Sequence, residues 1–490
     1  MMIDALLQQH EGKTLDFKQD LRSPRGVLKT LVAFANSAGG RVVLGVADNK
    51  QIIGVPDPLS EEERICNLIA DSIQPRLVPT VDLVTVEGKT LLIVEVFPSS
   101  FRPHFLKALG PENGVFIRLG STNRQAGLDL IAELNRSAQG IVFDETPMSE
   151  LDKSALDLDA AQELFANKRK LTDKALQTLK ILKHEQGRLV PTHGGMLLFG
   201  KDRELYFPDA WVQCGRFRGT EKVHIFDQTE IYKPLPVALA ETELFLQKHA
   251  FKSARFGALQ REDVWSIPVT MLREVLVNAL VHADYSQRGS PIRVAFFDNR
   301  IDVESPGLLM PGMTIDDMKS GVSRIRNPVI ARVFRELQLV EQWGSGVKRI
   351  FDEAREQGLP EPGITEIATG IRFTVWLKEV VSVDAASSTT GRPGSEQAPN
   401  KYPASTHQVT HQVKTLLQGL EGDMDRAQLM AQIGLKDRGN FKHGYLDPAL
   451  ANGLIEMTQP DSPRSPTQTY RLTTRGKAVL AEFTQAKIKE

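Results

Sequence analysis

In the stretch LREVLVNALVHADY, residues 272–285, a glutamate, an asparagine and a histidine recur every four residues inside an apolar helical pattern. One turn of helix separates each from the next, so Glu274, Asn278 and His282 project from nearly the same side. Apolar residues at 271, 272, 275, 276, 279 and 280 form a broad buried stripe. Two readings stay open for the helix alone: the three polar groups lie on a solvated face, or they line a ligand site. Downstream, EQWGSGVKRI places Gly344 and Gly346 around Ser345, just before a helical run. Such glycines let backbone approach a phosphate, and the following helix N-terminus offers free N–H donors to it. His282, Arg324, Arg326 and Lys348 are candidate phosphate contacts, although such residues are commonly ordinary surface or capping groups. A second acidic set opens the chain. EGKTLDFKQ places Glu11 and Asp16 five residues apart with Lys18 close behind, and AFANSAGGRVVLGVADN runs from a helix through a Gly-Gly turn into a strand ending at Asp48. By spacing alone these acids read as solvated and the glycines as a helix end.

The elements that must carry these residues follow from periodicity. RVVLGVAD and TLLIVEVF are predicted strands and LKTLVAFANSA a helix. A second series contains GGMLLFG, DAWVQCGRF, PIRVAFF and NRIDVES, with the opening helix and NPVIARVFRELQLV between strands. The predicted fold class is α/β, multidomain. The predicted divisions are an N-terminal module over 1–140, connecting helices and strands over 141–260, a nucleotide module over 261–380, a Ser/Pro/Gly-rich linker over 381–406 and a small domain over 407–490. No internal repeat is visible.

Composition narrows the classes of function. A chain of 490 residues accommodates roughly three or four domains. The formal net charge of −1 carries no global electrostatic signal, so a nucleic-acid partner must be met by local basic surfaces. Cys66 and Cys214 are too few for a disulfide framework and have no zinc spacing, which points to a reducing cytoplasm. The N-terminus does not read as a signal peptide, and no stretch approaches the roughly 20 apolar residues of a membrane span.

The order helix, PIRVAFF, IDVES, PGLLMPG, GVSRIRNP, helix, EQWGSGV resembles the GHKL ATPases, and more closely their divergent branch in bacterial DNA- and ATP-binding regulators. That resemblance implies ATP with Mg²⁺ as cofactors. Glu274 would orient and deprotonate the attacking water, Asn278 would hold Mg²⁺, and Gly344-Ser345-Gly346 would be the second glycine box. ESPG, residues 304–307, with Gly307, stands at the first glycine box. Ser305 occupies the position of the adenine-reading aspartate, or Glu304 does if the alignment slips by one.

Over most of residues 1–130 the chain resembles the Schlafen-type AlbA domain, through E-x4-D-F-K, AFANSAGG, VLGVADN with IIGV after it, and GVFIRLGSTNRQA. That family binds DNA or RNA. Its nuclease members use three carboxylates, here Glu11, Asp16 and Asp48, which would hold Mg²⁺ or Mn²⁺ and activate water. Lys13, Lys18, Arg22, Arg25 and Lys29 form one basic set, and Arg102, His104, Lys107, Arg118 and Arg124 a second.

Residues 407–490 read as three helices, a strand, a loop, a strand and a helix. MDRAQLMAQIGL followed by KDRGNFKHGYLDPALANGLIEM has helix-turn-helix rhythm, and the Pro/Ser-rich loop before TYRLT has the shape of a wing. The stretch resembles the C-terminal winged helix of Fic-family and related regulators. Seven Lys or Arg face four Asp or Glu between 436 and 477. Lys436, Arg438 and Lys442 would lie at the recognition helix and Arg464 on the wing.

Three functions follow as expectations. The first is an ATP-switched DNA-binding transcriptional regulator, a homodimer by resemblance. The second is a metal-dependent nuclease gated by ATP, in stress or phage defence. The third is a scaffold with a degenerate ATP site. Whether the chain is an enzyme is left open between ATPase and nuclease. Helicase activity is disfavoured, because no G-x4-G-K-[ST] loop occurs.

Overall fold

The computed structural model describes residues 3–381 apart from 167, 251, 257–260, 340–345 and 379. Beyond these it describes 411–420, 422–435, 441–446, 449–450, 454–459, 468–474, 476–477 and 480. The chain divides into two compact units, Met1–Gly391 and Arg392–Glu490. The architecture is multidomain α/β, as the alternation of strand and helix patterns predicts.

The first unit begins with strands β1 (Leu15–Lys18), β2 (Gly40–Leu44), β3 (Thr80–Val86) and β4 (Lys89–Val96), in the order β1-β2-β4-β3. Strand β1 runs parallel to β2, which requires a crossover, and helix α1 (Pro24–Asn36) supplies it. Pro24 suits the first helical turn, where its missing N–H costs nothing. Val27, Leu28, Leu31 and Phe34 of α1 are buried against the sheet. At its C-terminal end Asn36 is buried with its amide fully used. Its Nδ2 donates to His104 O at 2.8 Å and Phe116 O at 3.0 Å, and its Oδ1 accepts from His104 N at 2.7 Å. Helix α2 (Leu128–Ala138) closes this module.

A six-stranded sheet is the centre of the rest of the unit. Its strands are β5 (Val212–Arg218), β6 (His224–Ile231), β7 (Ile292–Phe296), β8 (Arg300–Pro306), β9 (Gly363–Ile367) and β10 (Gly370–Trp376), ordered β6-β5-β7-β8-β10-β9. Two of the six strands come from 212–231, so the stretch read as a connection contributes directly to the sheet. Val212, Cys214, Val294, Phe296, Ile301, Val303, Phe373 and Val375 share one core with helix α3 (Val269–His282). Helix α3 is apolar nearly all round and buried accordingly.

Helix α4 (Pro328–Glu336) follows the loop that leaves the sheet. Its N-terminus is capped from far away in sequence: Asp144 Oδ2 accepts from Val329 N at 2.7 Å and Ile330 N at 3.1 Å. Asn327, one residue before α4, donates to Val281 O and Ala283 O and so ties α4 to the end of α3. Helix α5 (Gly346–Glu356) packs along α3.

The second unit carries helices α6 (His411–Gly419) and α7 (Arg426–Gln432). Strands β11 (Met424–Asp425), β12 (Ile455–Met457) and β13 (Thr469–Leu472) pair antiparallel in the order β11-β13-β12. Asp425 and Gln428 form a reciprocal capping box at the start of α7. Leu416, Leu429, Phe441, Leu454 and Tyr470 make its core. Among the described residues no helix is long and apolar enough to cross a membrane.

Asp144 makes one consequence measurable. Burial pushes its carboxyl up to about 7, against the pull of the Ile330 and Val329 N–H groups, and its Oδ1 has no partner among the described residues. Between the ordinary value of 3.8 and about 7 the folded chain therefore binds this proton more tightly than the unfolded chain. That contribution to stability is complete at low pH and is lost as pH rises through about 7, at a slope approaching about 1.4 kcal/mol per pH unit. Asp144→Asn keeps an acceptor for α4 and removes the titration. The difference in unfolding free energy, wild type minus Asp144→Asn, should fall across this range in chemical denaturation. A flat difference contradicts the assignment.

Candidate functional site

Helix α3 turns Glu274, Asn278 and His282 into a cleft rather than toward bulk solvent. The cleft is also lined by Leu308, Met310, Arg324, Arg326, Gly346 and Ile371. Asn278 Nδ2 donates to Glu274 O at 2.8 Å and to Glu274 Oε1 at 3.0 Å, which leaves the carboxamide oxygen for a partner in the cleft. Gly346 opens α5 directly against this pair, and a Cβ there would overlap Glu274 Oε1. Glu274 Oε2 accepts from Arg349 Nη2 at 2.5 Å. Arg349 was not among the residues singled out from the sequence. Its signal was available, since it stands three residues after Gly346 on the same helix.

Ser305 and Glu304 stand on opposite faces of β8. Ile301, Val303 and Ser305 share the face of β8 that packs toward α3. Glu304 is on the opposite face, where Lys222 Nζ at 2.9 Å and Arg372 Nη2 at 2.8 Å hold it. Burial opposes ionisation there, yet those two cations keep its carboxyl below the usual range. Glu304 is thus held by cations on the face of the sheet away from α3. Ser305 itself is half-buried beside Ile371, its cross-strand partner, which lines the cleft. Gly307 has φ +101°, and a Cβ there would meet Asp284 Cβ at 2.9 Å, so this turn requires glycine.

The candidate phosphate contacts separate. Arg324 and Arg326 line the cleft, with Arg324 Nη1 on Pro311 O at 2.6 Å. Burial pushes the His282 imidazole down to about 4, so it meets the cleft as a neutral group and carries no charge for a phosphate. Lys348 lies away from the cleft, exposed and paired with Asp352 at 2.8 Å. Gly344 and Ser345 lie outside the described residues.

The N-terminal acids are arranged differently from the expected metal trio. Asp16 is 3% exposed, and its oxygens meet Arg118 Nη2 at 2.9 Å and Lys18 Nζ at 2.7 Å. Glu11 Oε1 accepts from Phe17 N at 2.9 Å, and Asp48 is exposed on the turn after β2. Among the described residues no three His, Cys, Asp or Glu side chains form a metal-binding group. Several expected nucleic-acid contacts are also structural. Arg118 is buried, with its Nε on Gly12 O at 3.0 Å. His104 is buried on Pro75 O, and burial lowers its pKa. Lys13 pairs with Glu366, and Arg102 donates to Ser137 Oγ at 3.0 Å. Arg22, Arg25, Lys107 and Arg124 remain exposed, and Lys29 lies over the Phe116 ring. Lys436, Arg438 and Arg464 lie outside the described residues, as does the side chain of Lys442.

Family comparison matches residues 11–127 to "Schlafen, AlbA_2". Residues 289–377 match "Putative ATP-dependent DNA helicase recG C-terminal", of the HATPase_c_4 type. Residues 411–473 match "Filamentation induced by cAMP protein Fic-like, C-terminal domain". The chain thus combines a nucleic-acid-related Schlafen-type module, an ATPase-type module and a Fic-like C-terminal domain. The ATPase-type match begins after α3, so geometry rather than that match brings Glu274 and Asn278 to the cleft. No curated protein matches the sequence. Similar solved structures include the DIP2311 protein from Corynebacterium diphtheriae, 18% identical, covering 98% of this chain and 97% of that one, with TM-score 0.42. The N-terminal domain of a RecG-related protein from Nitrosomonas europaea is 29% identical over 26% of this chain and 91% of its own, with TM-score 0.21. A Fic family protein from Desulfovibrio desulfuricans is 19% identical over 71% of this chain and 77% of its own, with TM-score 0.14.

The ATPase-type match hints at a nucleotide, and one cleft residue has the chemistry to hold a nucleotide's magnesium. Magnesium takes hard oxygen ligands, and the Asn278 carboxamide oxygen is one. Gly346 leaves room beside Glu274 where any side chain would intrude. Gly346→Ala should therefore displace the Glu274 carboxylate, break its contact with Asn278, and weaken Mg-ATP binding at least about tenfold in calorimetry, a loss of roughly 1.4 kcal/mol. Undiminished binding would show that the close approach of α5 does not shape the site.

Proposed function

We propose that this protein is a nucleic-acid-binding regulator, most specifically a DNA-binding transcriptional regulator, whose conformation is switched by Mg-ATP. The observation that carries the reading is the single cleft holding Glu274, Asn278, Gly346, Arg324 and Arg326. In this reading Asn278 holds the metal by its side-chain oxygen and Arg324 and Arg326 face the phosphates. Glu274, steered by Arg349, orients and takes a proton from water. Bound magnesium would neutralise phosphate charge at that wall of the cleft. Ser305 does not line the cleft itself, and its cross-strand partner Ile371 does, so any contact of Ser305 with the base would be made from the cleft's edge. The N-terminal module supplies phosphate contacts through exposed Arg22 and Arg25, with Lys18 beside Asp16. The C-terminal unit, whose described residues include helices α6 and α7, a further helical turn at Phe441–Leu446 and a three-stranded antiparallel sheet, reads as a winged helix for duplex DNA. A homodimer completes the proposal on the ground of the family resemblance.

The nuclease reading has no comparable support. Asp16 is committed to Arg118 and Lys18, and removing it would strand a buried guanidinium at a cost of about 3–5 kcal/mol. Activity lost in Asp16 variants would thus report on folding as much as on chemistry. Glu11 and Asp48, both exposed, are the informative positions for that reading.

Calorimetric titration with ATP, with and without Mg²⁺, tests the proposal. Wild type should bind ATP in a Mg²⁺-dependent manner and Asn278→Ala should lose that dependence. Glu274→Gln should retain binding and lose any turnover. Absence of Mg²⁺-dependent binding by wild type contradicts the reading.

A further inference from the structure

Two cavities meet at the loop that follows β8. Leu308, Leu309, Met310 and Met313 line both the cleft and a smaller cavity against the N-terminal module. The loop is fastened to that module. Gly312 N donates to Ser37 O, just past α1, at 2.9 Å. Leu308 packs with Val115, Ile117 and Leu134. The charged side chains that line the smaller cavity all have ion-pair partners: Arg118 with Asp16, which also holds Lys18, Lys13 with Glu366, and Glu133 of α2 with Arg326. Arg326 lies outside the lining of the smaller cavity but lines the cleft, in company with Glu274 and Asn278. Its side chain is only 8% exposed, its Nη2 donates to Leu308 O, and its Nε is buried with no partner among the described residues.

We propose that the Arg326–Glu133 pair is a latch between the cleft and the N-terminal module, opened when a nucleoside polyphosphate takes Arg326. The inference rests on the nucleotide reading of the cleft and adds the means by which that site is felt elsewhere. Phosphate oxygens compete directly with a carboxylate for a guanidinium, because both accept its paired N–H donors. Once Arg326 turns to phosphate, Glu133 is left beside a cavity whose other cations are already matched. A carboxylate 14% exposed and without a counter-charge is costly. Helix α2 then shifts to hydrate Glu133 and loosens its hold on the loop.

The test uses the full chain, with Mg-ATP as the probe. Glu133→Gln removes the competing charge and should bind Mg-ATP about fivefold more tightly than wild type, or better. Hydrogen exchange across residues 128–138 should rise in wild type on adding Mg-ATP, and should already be raised in Glu133→Gln without it. Glu133→Asp keeps the charge one methylene shorter and should return affinity toward wild type, which separates loss of the pair from damage to the fold. If Glu133→Gln binds Mg-ATP as wild type does and exchange is unchanged, the latch is overturned while the nucleotide reading stands. A wild type that binds no Mg-ATP overturns both.

Discussion

A buried helix can keep polar side chains only if each one is given a partner, and that constraint organises the centre of this protein. Helix α3 is enclosed by the six-stranded sheet, α4 and α5, yet it carries Glu274, Asn278 and His282 in a file. An unpaired polar group there would cost several kcal/mol, on the order of its desolvation. The chain meets the cost in two ways: Asn278 and Glu274 bond each other, and Arg349 reaches Glu274 from α5, while His282 is buried in its neutral form. The absence of a side chain at Gly346 makes this possible, because it lets α5 start against the Glu274 carboxylate. Among the described residues the Asn278 carboxamide oxygen has no hydrogen-bond partner on the cleft side of the file, and the proposed function places the ligand there.

Much of this was legible in the sequence because it depends on local period. The four-residue repeat of α3, the strands at 292–306 and the glycine before α5 follow from side-chain spacing alone. The three module resemblances are local in the same sense. Where the reading left a choice, it was often one of parity. A one-residue slip moves a strand residue to the other face of the sheet, so Ser305 and Glu304 could not be told apart until the register with β10 was known.

Pairings across long separations were not legible. Asp16 and Arg118 are 102 residues apart and Asp144 caps a helix 185 residues away. No periodicity announces either contact, so Asp16 read as a candidate metal ligand and Arg118 as a candidate phosphate contact. The structure shows them neutralising each other in the core of the N-terminal module. The same blindness hid Glu133, an ordinary acid in an amphipathic helix until its partnership with Arg326 is seen. Buried ion pairs of this kind contribute less to stability than to fixing which surfaces meet. Here the Arg326–Glu133 pair joins the segment before α4 to α2, while the loop after β8 is held to the N-terminal module by Gly312 N on Ser37 O and by Leu308 against Val115 and Ile117.

In the proposed function, nucleotide in the cleft and nucleic acid on the protein are linked, and thermodynamics requires that linkage to be reciprocal. The most direct measurement is the affinity of the full chain for a fluorescent oligonucleotide, followed by anisotropy over a Mg-ATP titration at fixed salt. The account predicts a change of at least about fivefold, matched by an equal change in Mg-ATP affinity when the oligonucleotide is present. An oligonucleotide affinity that stays constant from no Mg-ATP to saturation would contradict it.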